Sequence, residues 1–290
     1  MKTILAIATL LINCNLVFPQ ETVLYGEVRN RENKETLPYV NIGIAHKTVG
    51  TVSGNNGKFR LIINDKISSN DTVLFSFIGF KTVEFPVSEL KNRKDAILLQ
   101  PVNIELDEVE VTSGKIKLKS KTIGRTTGGL GLLHANFYAS YEKDVDDRLS
   151  KEMGMKFSAK RNCNIRDLNF NITGNDFKSL KFRVNFYRIR EGLPDSLLVE
   201  KNIIFEVKDN FTGWFKVDLE PYKIYIRENV EEFAVTLQWL ESVKSNENSK
   251  YFSISTAGSP VHIAYFREKA MDTWNKSGQS LSFYLNSMCE

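Results

Sequence analysis

The chain has 290 residues, 42% of them hydrophobic and 26% charged, with a formal net charge of +4. That length is enough for two separate cores, and so mild a charge over so long a chain does not mark a nucleic-acid binder. Seven prolines against 19 phenylalanines and 10 tyrosines favour strands over coil.

Residues 1–20 read as a processing segment. Lys2 precedes an apolar run from Ile4 to Ile12 that is too short to span a bilayer and has the length of a signal-peptide core. Leu11-Ile12-Asn13-Cys14 departs from a lipidation box at Asn13, where a small residue is needed. A plain secretory signal is therefore read in preference to a lipoprotein anchored through Cys14. Cys163 and Cys289 remain once the segment is removed. Export would permit a disulfide, but nothing in the sequence brings the two together, and two isolated buried thiols is the preferred reading.

A first strand is predicted over residues 22–28, followed by a polar turn from Asn30 to Thr36. Val40, Ile42 and Ile44 then alternate with Asn41, Gly43 and Ala45, the period of a strand with one buried face. Gly54-Asn55-Asn56-Gly57 supplies residues that tolerate positive φ, so the chain can reverse there. Phe59, Leu61 and Ile63 return with the same period, and Val73, Phe75 and Phe77 repeat it. The stretch from Leu37 to Lys81 is thus expected to hold three short strands. Val83, Phe85 and Val87 continue the alternation, Ser88 to Lys94 allows one helical turn, and residues 97–99 and 108–111 supply closing strands.

Three blocks in this order carry a resemblance: Leu37-Pro38-Tyr39-Val40-Asn41-Ile42, then Gly50-Thr51-Val52-Ser53 with Asn56-Gly57-Lys58-Phe59, then Asp71 through Lys81. With Leu106 to Val111 as the closing segment, residues 22–112 resemble the carboxypeptidase-regulatory-like domain of Bacteroidetes envelope proteins. The resemblance implies a seven-stranded, transthyretin/Ig-like β-sandwich without catalysis. Ser53, Asn55 and Asn56 stand where acidic residues are common in that domain, which weakens any idea of a cation in the turn. In TonB-dependent receptors this domain is followed by a plug and a large barrel. Residues 132–290 carry no barrel signature, so a different architecture is expected.

Residues 113–131 read as a linker. Lys115, Lys117, Lys119 and Lys121 alternate with Ile116, Leu118 and Ser120. A basic strand edge that discourages edge-to-edge pairing is one reading, and a site for anionic lipid or polysaccharide is the other. Gly128 to Gly131 lacks the following Lys-Ser/Thr of a phosphate loop and reads as a flexible joint.

Residues 132–290 show alternation around Leu168, Phe182, Phe205, Val217, Ile224, Val235, Ile254, Tyr265 and Phe283. About nine short strands with frequent turns predict a second antiparallel β-sandwich, jelly-roll or galactose-binding-like, so the fold class is all-β. Asp144 to Ser150 is a polar loop or short helix.

The three histidines fit no metal motif: His46 reads as a turn residue, His134 as a linker residue and His262 as a strand residue. No Gly-x-Ser-x-Gly elbow occurs, and Gly258-Ser259-Pro260 reads as a turn. The chain is read as a non-enzyme without metal or cofactor.

Binding is better motivated, because sugars have an apolar face and a hydroxyl rim that suit aromatic platforms flanked by polar groups. Trp239 falls in the inward row with Phe233, Val235 and Leu237. Trp214, by contrast, shares an outward phase with Lys216 and Asp218. Arg183, Asn185, Tyr187 and Tyr225 have outward phases too, and Trp274 lies among polar residues. Convergence of these side chains would form a ligand face; the competing reading is scattered strand-end residues or ones covered by loops.

The whole is read as an exported envelope protein of the periplasm or outer membrane, with no membrane span in the mature chain. Its second sandwich binds a glycan or a protein partner, and its first acts as an interaction or spacer module. The alternative is a purely structural part that docks to an outer-membrane complex.

Overall fold

A computed structural model describes residues 21–102, 118–128 and 133–290. The expected signal segment, the closing strand at 108–111 and residues 113–117 and 129–131 of the linker lie outside the described residues. The first half holds β1 (Thr22–Asn30), β2 (Asn41–Ile44), β3 (Gly50–Val52), β4 (Lys58–Ile63), β5 (Thr72–Ser76), β6 (Val83–Pro86), the short helix α1 (Val87–Asn92) and β7 (Ile97–Leu99). They make two sheets, ordered β4-β1-β7 and β3-β2-β5-β6.

Phe59, Leu61 and Ile63 of β4 are buried while Lys58 and Arg60 are exposed, as a period-2 strand with one wet face requires. Phe59 meets Phe75 of the facing sheet edge-on at 5.5 Å. At the reversal before β4, Gly54 N–H donates to Lys58 O at 2.7 Å and Gly57 sits at φ +76°, where a side chain would be strained. The stretch from Leu37 to Lys81 holds four strands rather than three. The additional one, β3, is Gly50-Thr51-Val52, too short to show a period.

The second half holds β8 (Lys119–Gly124), β9 (His134–Asn136), a 3-10 turn (Val145–Arg148), β10 (Glu152–Ser158), β11 (Cys163–Asn175), β12 (Phe177–Arg190), β13 (Leu193–Leu197) and β14 (Ile203–Lys208). It continues through β15 (Gly213–Asp218), β16 (Ile224–Ile226), β17 (Glu232–Lys244), β18 (Phe252–Gly258), β19 (Ala264–Arg267), β20 (Asn275–Ser277), β21 (Gln279–Leu281) and β22 (Phe283–Cys289). One sheet runs β13-β12-β17-β10-β19-β20 with β14 paired to β12. The other runs β21-β18-β11-β22-β8, with β15 and β16 on β11 and β9 on β18.

Both contribute to one apolar core, in which Trp239 is fully buried and meets Phe177 and Phe182 edge-on. Strand β10, central in its sheet, is absent from the sequence prediction. Met153, Met155 and Phe157 do alternate, but methionine and Gly154 carry little strand preference. Gly154 is required because a Cβ there would collide with the Val235 carbonyl oxygen.

Part of the linker belongs to this sandwich. Residues 119–124 form β8, the edge strand beside β22, and Gly128 O accepts from Ser255 Oγ. His134 is a strand residue rather than a linker residue, and His262 precedes β19 instead of lying within it. His46 occupies a turn at φ 60°.

The expectation of two free thiols is overturned. Cys163 and Cys289 are cross-strand partners on β11 and β22, their Cα atoms are 4.1 Å apart, and they form a disulfide. Their separation of 126 residues hid a juxtaposition that only sheet register creates.

The two sandwiches are joined by a close seam. Tyr39 adopts a left-handed backbone (φ 58°), costly for a bulky residue, and this turns its carbonyl toward Arg183, whose NH2 donates to it at 2.7 Å. The Tyr39 hydroxyl donates to Glu241 at 2.7 Å, and Gln238 donates to Asn41 at 2.9 Å. Tyr39, Val52 and Leu240 form a small apolar cluster of their own.

On the same side, Ala270 lies against the backbones of Gly43 and Gly50, and His46 N–H donates to Met271 O at 2.9 Å. A Cβ on Gly50 would fall 2.8 Å from the Ala270 carbonyl oxygen, and one on Gly43 would collide with it outright. Gly43→Val is therefore expected to open the seam at a cost of about 1–3 kcal/mol. Calorimetry should show the single transition of the parent split in two. One unchanged transition would mean that Ala270 simply moves aside.

Candidate functional site

The outward-phase residues of the second sandwich divide between opposite sheets. Arg183, Asn185 and Tyr187 lie on β12, and they are buried rather than exposed, at 1%, 4% and 6%. Their phase is outward, but the first sandwich and the segment after β19 cover that sheet face. Arg183 spends its guanidinium on Asn202, Gln238 and the Tyr39 carbonyl, and burial pulls it down to about 10. Asn185 and Tyr187 donate to the buried Glu152 carboxylate, and burial pushes the Tyr187 phenol up. Trp274 is half-buried over the Arg267 guanidinium, 4.5 Å from its ring centre, and edge-on to Tyr187. Arg183, Asn185 and Tyr187 are therefore not part of a ligand face, and Trp274 stands beside them, on the opposite sheet from Trp214.

The other sheet leaves part of its outer face open: Trp214, Lys216 and Asp218 reach solvent, Asp167 and Asn169 are buried beneath them, and residues 127–128 lie over β18 and the start of β22. Register places Trp214, Lys216 and Asp218 of β15 beside Asn171, Asn169 and Asp167 of β11. On the far side of β11, Tyr284 of β22 lies beside Asn169 and Asn286 beside Asp167. Because side chains alternate, all of these project from one face. Trp214 and Tyr284 reach toward each other across β11, with ring centres 5.1 Å apart. Trp214 is 37% exposed.

Below the rings lies a polar floor. Asp167 accepts from Asn286 at 2.8 Å and from Asn169, and Lys216 Nζ stands 3.3 Å from its other oxygen. Asn286 Oδ1 in turn accepts from Thr122 of β8 at 2.8 Å. Each group's orientation is fixed by its neighbour, so the floor is organised before any ligand arrives.

Tyr225 projects from the same face on β16, opposite Asn164 of β11. Burial raises the phenol, aided by Glu290, whose carboxylate the hydroxyl meets at 3.3 Å. From Asn164 to Asn171 the face runs roughly 20 Å at the rise of a strand. Lys216, Asp218, Trp214 and Tyr225 are thus gathered on one face. Asp167, Asn169, Tyr284 and Asn286 escaped the sequence reading. Asp167 and Asn169 did alternate with the core residues of β11, and that was the only signal available.

The family model of the CarboxypepD_reg-like domain matches residues 24–111. No curated protein matches the chain. Among solved structures, the cysteine protease and lectin-like domains of Cwp84, a surface layer associated protein of Clostridium difficile, are 12% identical with a TM-score of 0.41. That alignment covers 93% of this chain and 64% of the other, so the chain spans less than two thirds of its length. A second structure, a cysteine-to-alanine variant of the clostridial cysteine protease Cwp84 after propeptide cleavage, is 12% identical with a TM-score of 0.39, covering 93% and 72%. At these scores the likeness bears on neither fold nor function. No helix among the described residues is long and apolar enough to cross a membrane.

Proposed function

We propose that this chain, whose N-terminal sandwich is a CarboxypepD_reg-like domain, is an exported, non-catalytic protein that binds a glycan on the open face of its second sandwich. The observation that carries this reading is the Trp214–Tyr284 pair set above a fixed floor of Asn169, Asp167, Asn286 and Lys216. The rings offer apolar surface to the C–H face of a pyranose, and the amides, carboxylate and ammonium meet its hydroxyls. A face of roughly 20 Å has room for several sugar residues.

Export is supported by the Cys163–Cys289 disulfide, a bond that persists in oxidising compartments, and by the apolar run after Lys2. The N-terminal sandwich, fixed to the second by the seam, acts as a spacer that holds the glycan face in a set direction. The cell envelope of a Gram-negative bacterium is the setting proposed.

The test is a glycan array probed with the chain from residue 21 onward, beside Trp214→Ala. Binding is expected for the parent and at least about tenfold weaker for the variant, since an aromatic side chain buried by a ligand contributes about 1.5–3 kcal/mol. Equal binding by the two, or none by either, would remove the platform from consideration.

A further inference from the structure

Trp214 and Tyr225 stand at opposite ends of one line. They lie on β15 and β16, which pair in succession with β11, at Asn171 and at Asn164. Each is 37% exposed. Strand β22 supplies a half-buried neighbour at both ends. Tyr284 meets Trp214 across β11, and Met288 flanks Asn164 on the side away from Tyr225. An apolar pair thus stands at each end of a line of roughly 20 Å at the rise of a strand.

The stretch between the pairs is polar. Lys216 and Asp218 lie on one side, Asn286 and Thr122 on the other, and Asp167 is buried beneath them. A single exposed aromatic side chain needs no explanation. Two apolar pairs on one line, with hydrogen-bonding groups between, suit an occupant long enough to touch both. One sugar would cover one pair and leave the other in water.

The line follows one extended strand, β11, so its occupant must be extended too. Sugars joined through equatorial bonds, as in cellulose, β-mannan and xylan, form a straight ribbon whose apolar faces recur along its length. Starch-type chains curl away from a line. Charge narrows the class further. Lys216 stands 3.3 Å from Asp167, and Arg166 stands 2.7 Å from Glu220. Asp218 is a further carboxylate beside Lys216, and near Tyr225 the charges of Glu228 and Glu290 outnumber that of Arg227. These groups leave no surplus of positive charge for a polyanion.

We propose, resting on the reading of the Trp214 face given above, that its ligand is an extended, uncharged polysaccharide that spans both apolar pairs. One sugar rests on Trp214 and Tyr284, and a later one rests on Tyr225 and Met288. The sugars between them exchange hydrogen bonds with Lys216, Asp218 and Asn286. Affinity then depends on chain length, because once the first pair is filled the second is engaged within the same complex.

The test is calorimetric titration of the chain from residue 21 onward with cello-, manno- and xylo-oligosaccharides, each as disaccharide and hexasaccharide. In at least one series the hexasaccharide is expected to bind at least about tenfold tighter than the disaccharide. Tyr225→Ala should lose that gain and Tyr225→Phe should recover it, since the ring stacks and the hydroxyl does not. The gain is a ratio read within one variant, so a folding defect, which weakens both ligands, does not mimic its loss. A hexasaccharide no tighter than its disaccharide in every series, or a gain that Tyr225→Ala keeps, would overturn the proposal and leave the Trp214 platform standing. Tighter binding of maltohexaose would overturn the extended ligand, and tighter binding of hexagalacturonate the uncharged one. Binding indifferent to Trp214→Ala, or none to any glycan, would remove the platform and the proposal together.

Discussion

Glu152→Ala is expected to lower the free energy of unfolding by about 3–5 kcal/mol, as removing one partner of a buried ion pair does. Glu152 is wholly buried, and Arg267 Nε and NH2 donate to it at 3.0 and 2.6 Å. Asn185 donates at 2.8 Å, and the Tyr187 and Thr236 hydroxyls donate as well. Without the carboxylate, Arg267 keeps a charge that burial opposes and loses the strongest of the groups that offset it, with Tyr187 and Asp272 contributing less. The four strands β10, β12, β17 and β19 meet at this one group, so the loss falls on the centre of the sheet.

Urea unfolding followed by tryptophan fluorescence measures the effect. The double replacement Glu152→Leu with Arg267→Met should recover most of the loss, because no charge is then left unpaired. A loss below about 1 kcal/mol in the single variant would mean that water reaches Arg267 and takes the carboxylate's place.

Breaking the Cys163–Cys289 bond should cost a similar amount. The two cysteines are 126 residues apart. Closing a loop of that size removes about 5 kcal/mol of chain entropy from the unfolded state as an upper figure, with 2–4 kcal/mol typical of measured bonds. The bond also ties β22, the last strand, to the start of β11, next to the edge strand β8. Cys163→Ser with Cys289→Ser, or the parent in reductant, should therefore unfold at a temperature several degrees lower, with hydrogen exchange fastest in β22 and β8. If reductant left the melting temperature unchanged while labelling showed two free thiols, the cross-link would have no part in stability.

Both effects rest on contacts that local patterns foretold only in part. The period-2 rows around Phe59, Phe75, Phe182, Val235 and Phe283 were plain in the sequence, because burial of one sheet face forces that spacing and nothing else at short range produces it. They determined the all-β class, most strand positions and the inward place of Trp239. The ordered blocks from Leu37 to Lys81 carried the resemblance that identified the first sandwich.

The same phase argument misjudged Arg183, Asn185 and Tyr187. Alternation tells which side of a sheet a residue occupies, but not whether another part of the chain covers that side. Here Tyr39, on a left-handed backbone, and Ala270, against two glycines, bring in that cover. The polar look of the row is no contradiction. Its members bond to Glu152 and Gln238 on neighbouring strands and, across the seam, to Tyr39, and a buried polar row of this kind is indistinguishable from a wet one in a linear string.

By itself, then, the sequence determined the strand periods, the core rows and the family of the first sandwich, since each depends on residues near one another along the chain. Tertiary structure alone decided that Cys163 meets Cys289, that Trp214 meets Tyr284 and that Tyr39 meets Arg183. Sheet register and the packing of one sandwich on another set those distances, and they join residues from about 70 to more than 110 positions apart whose spacing carries no period.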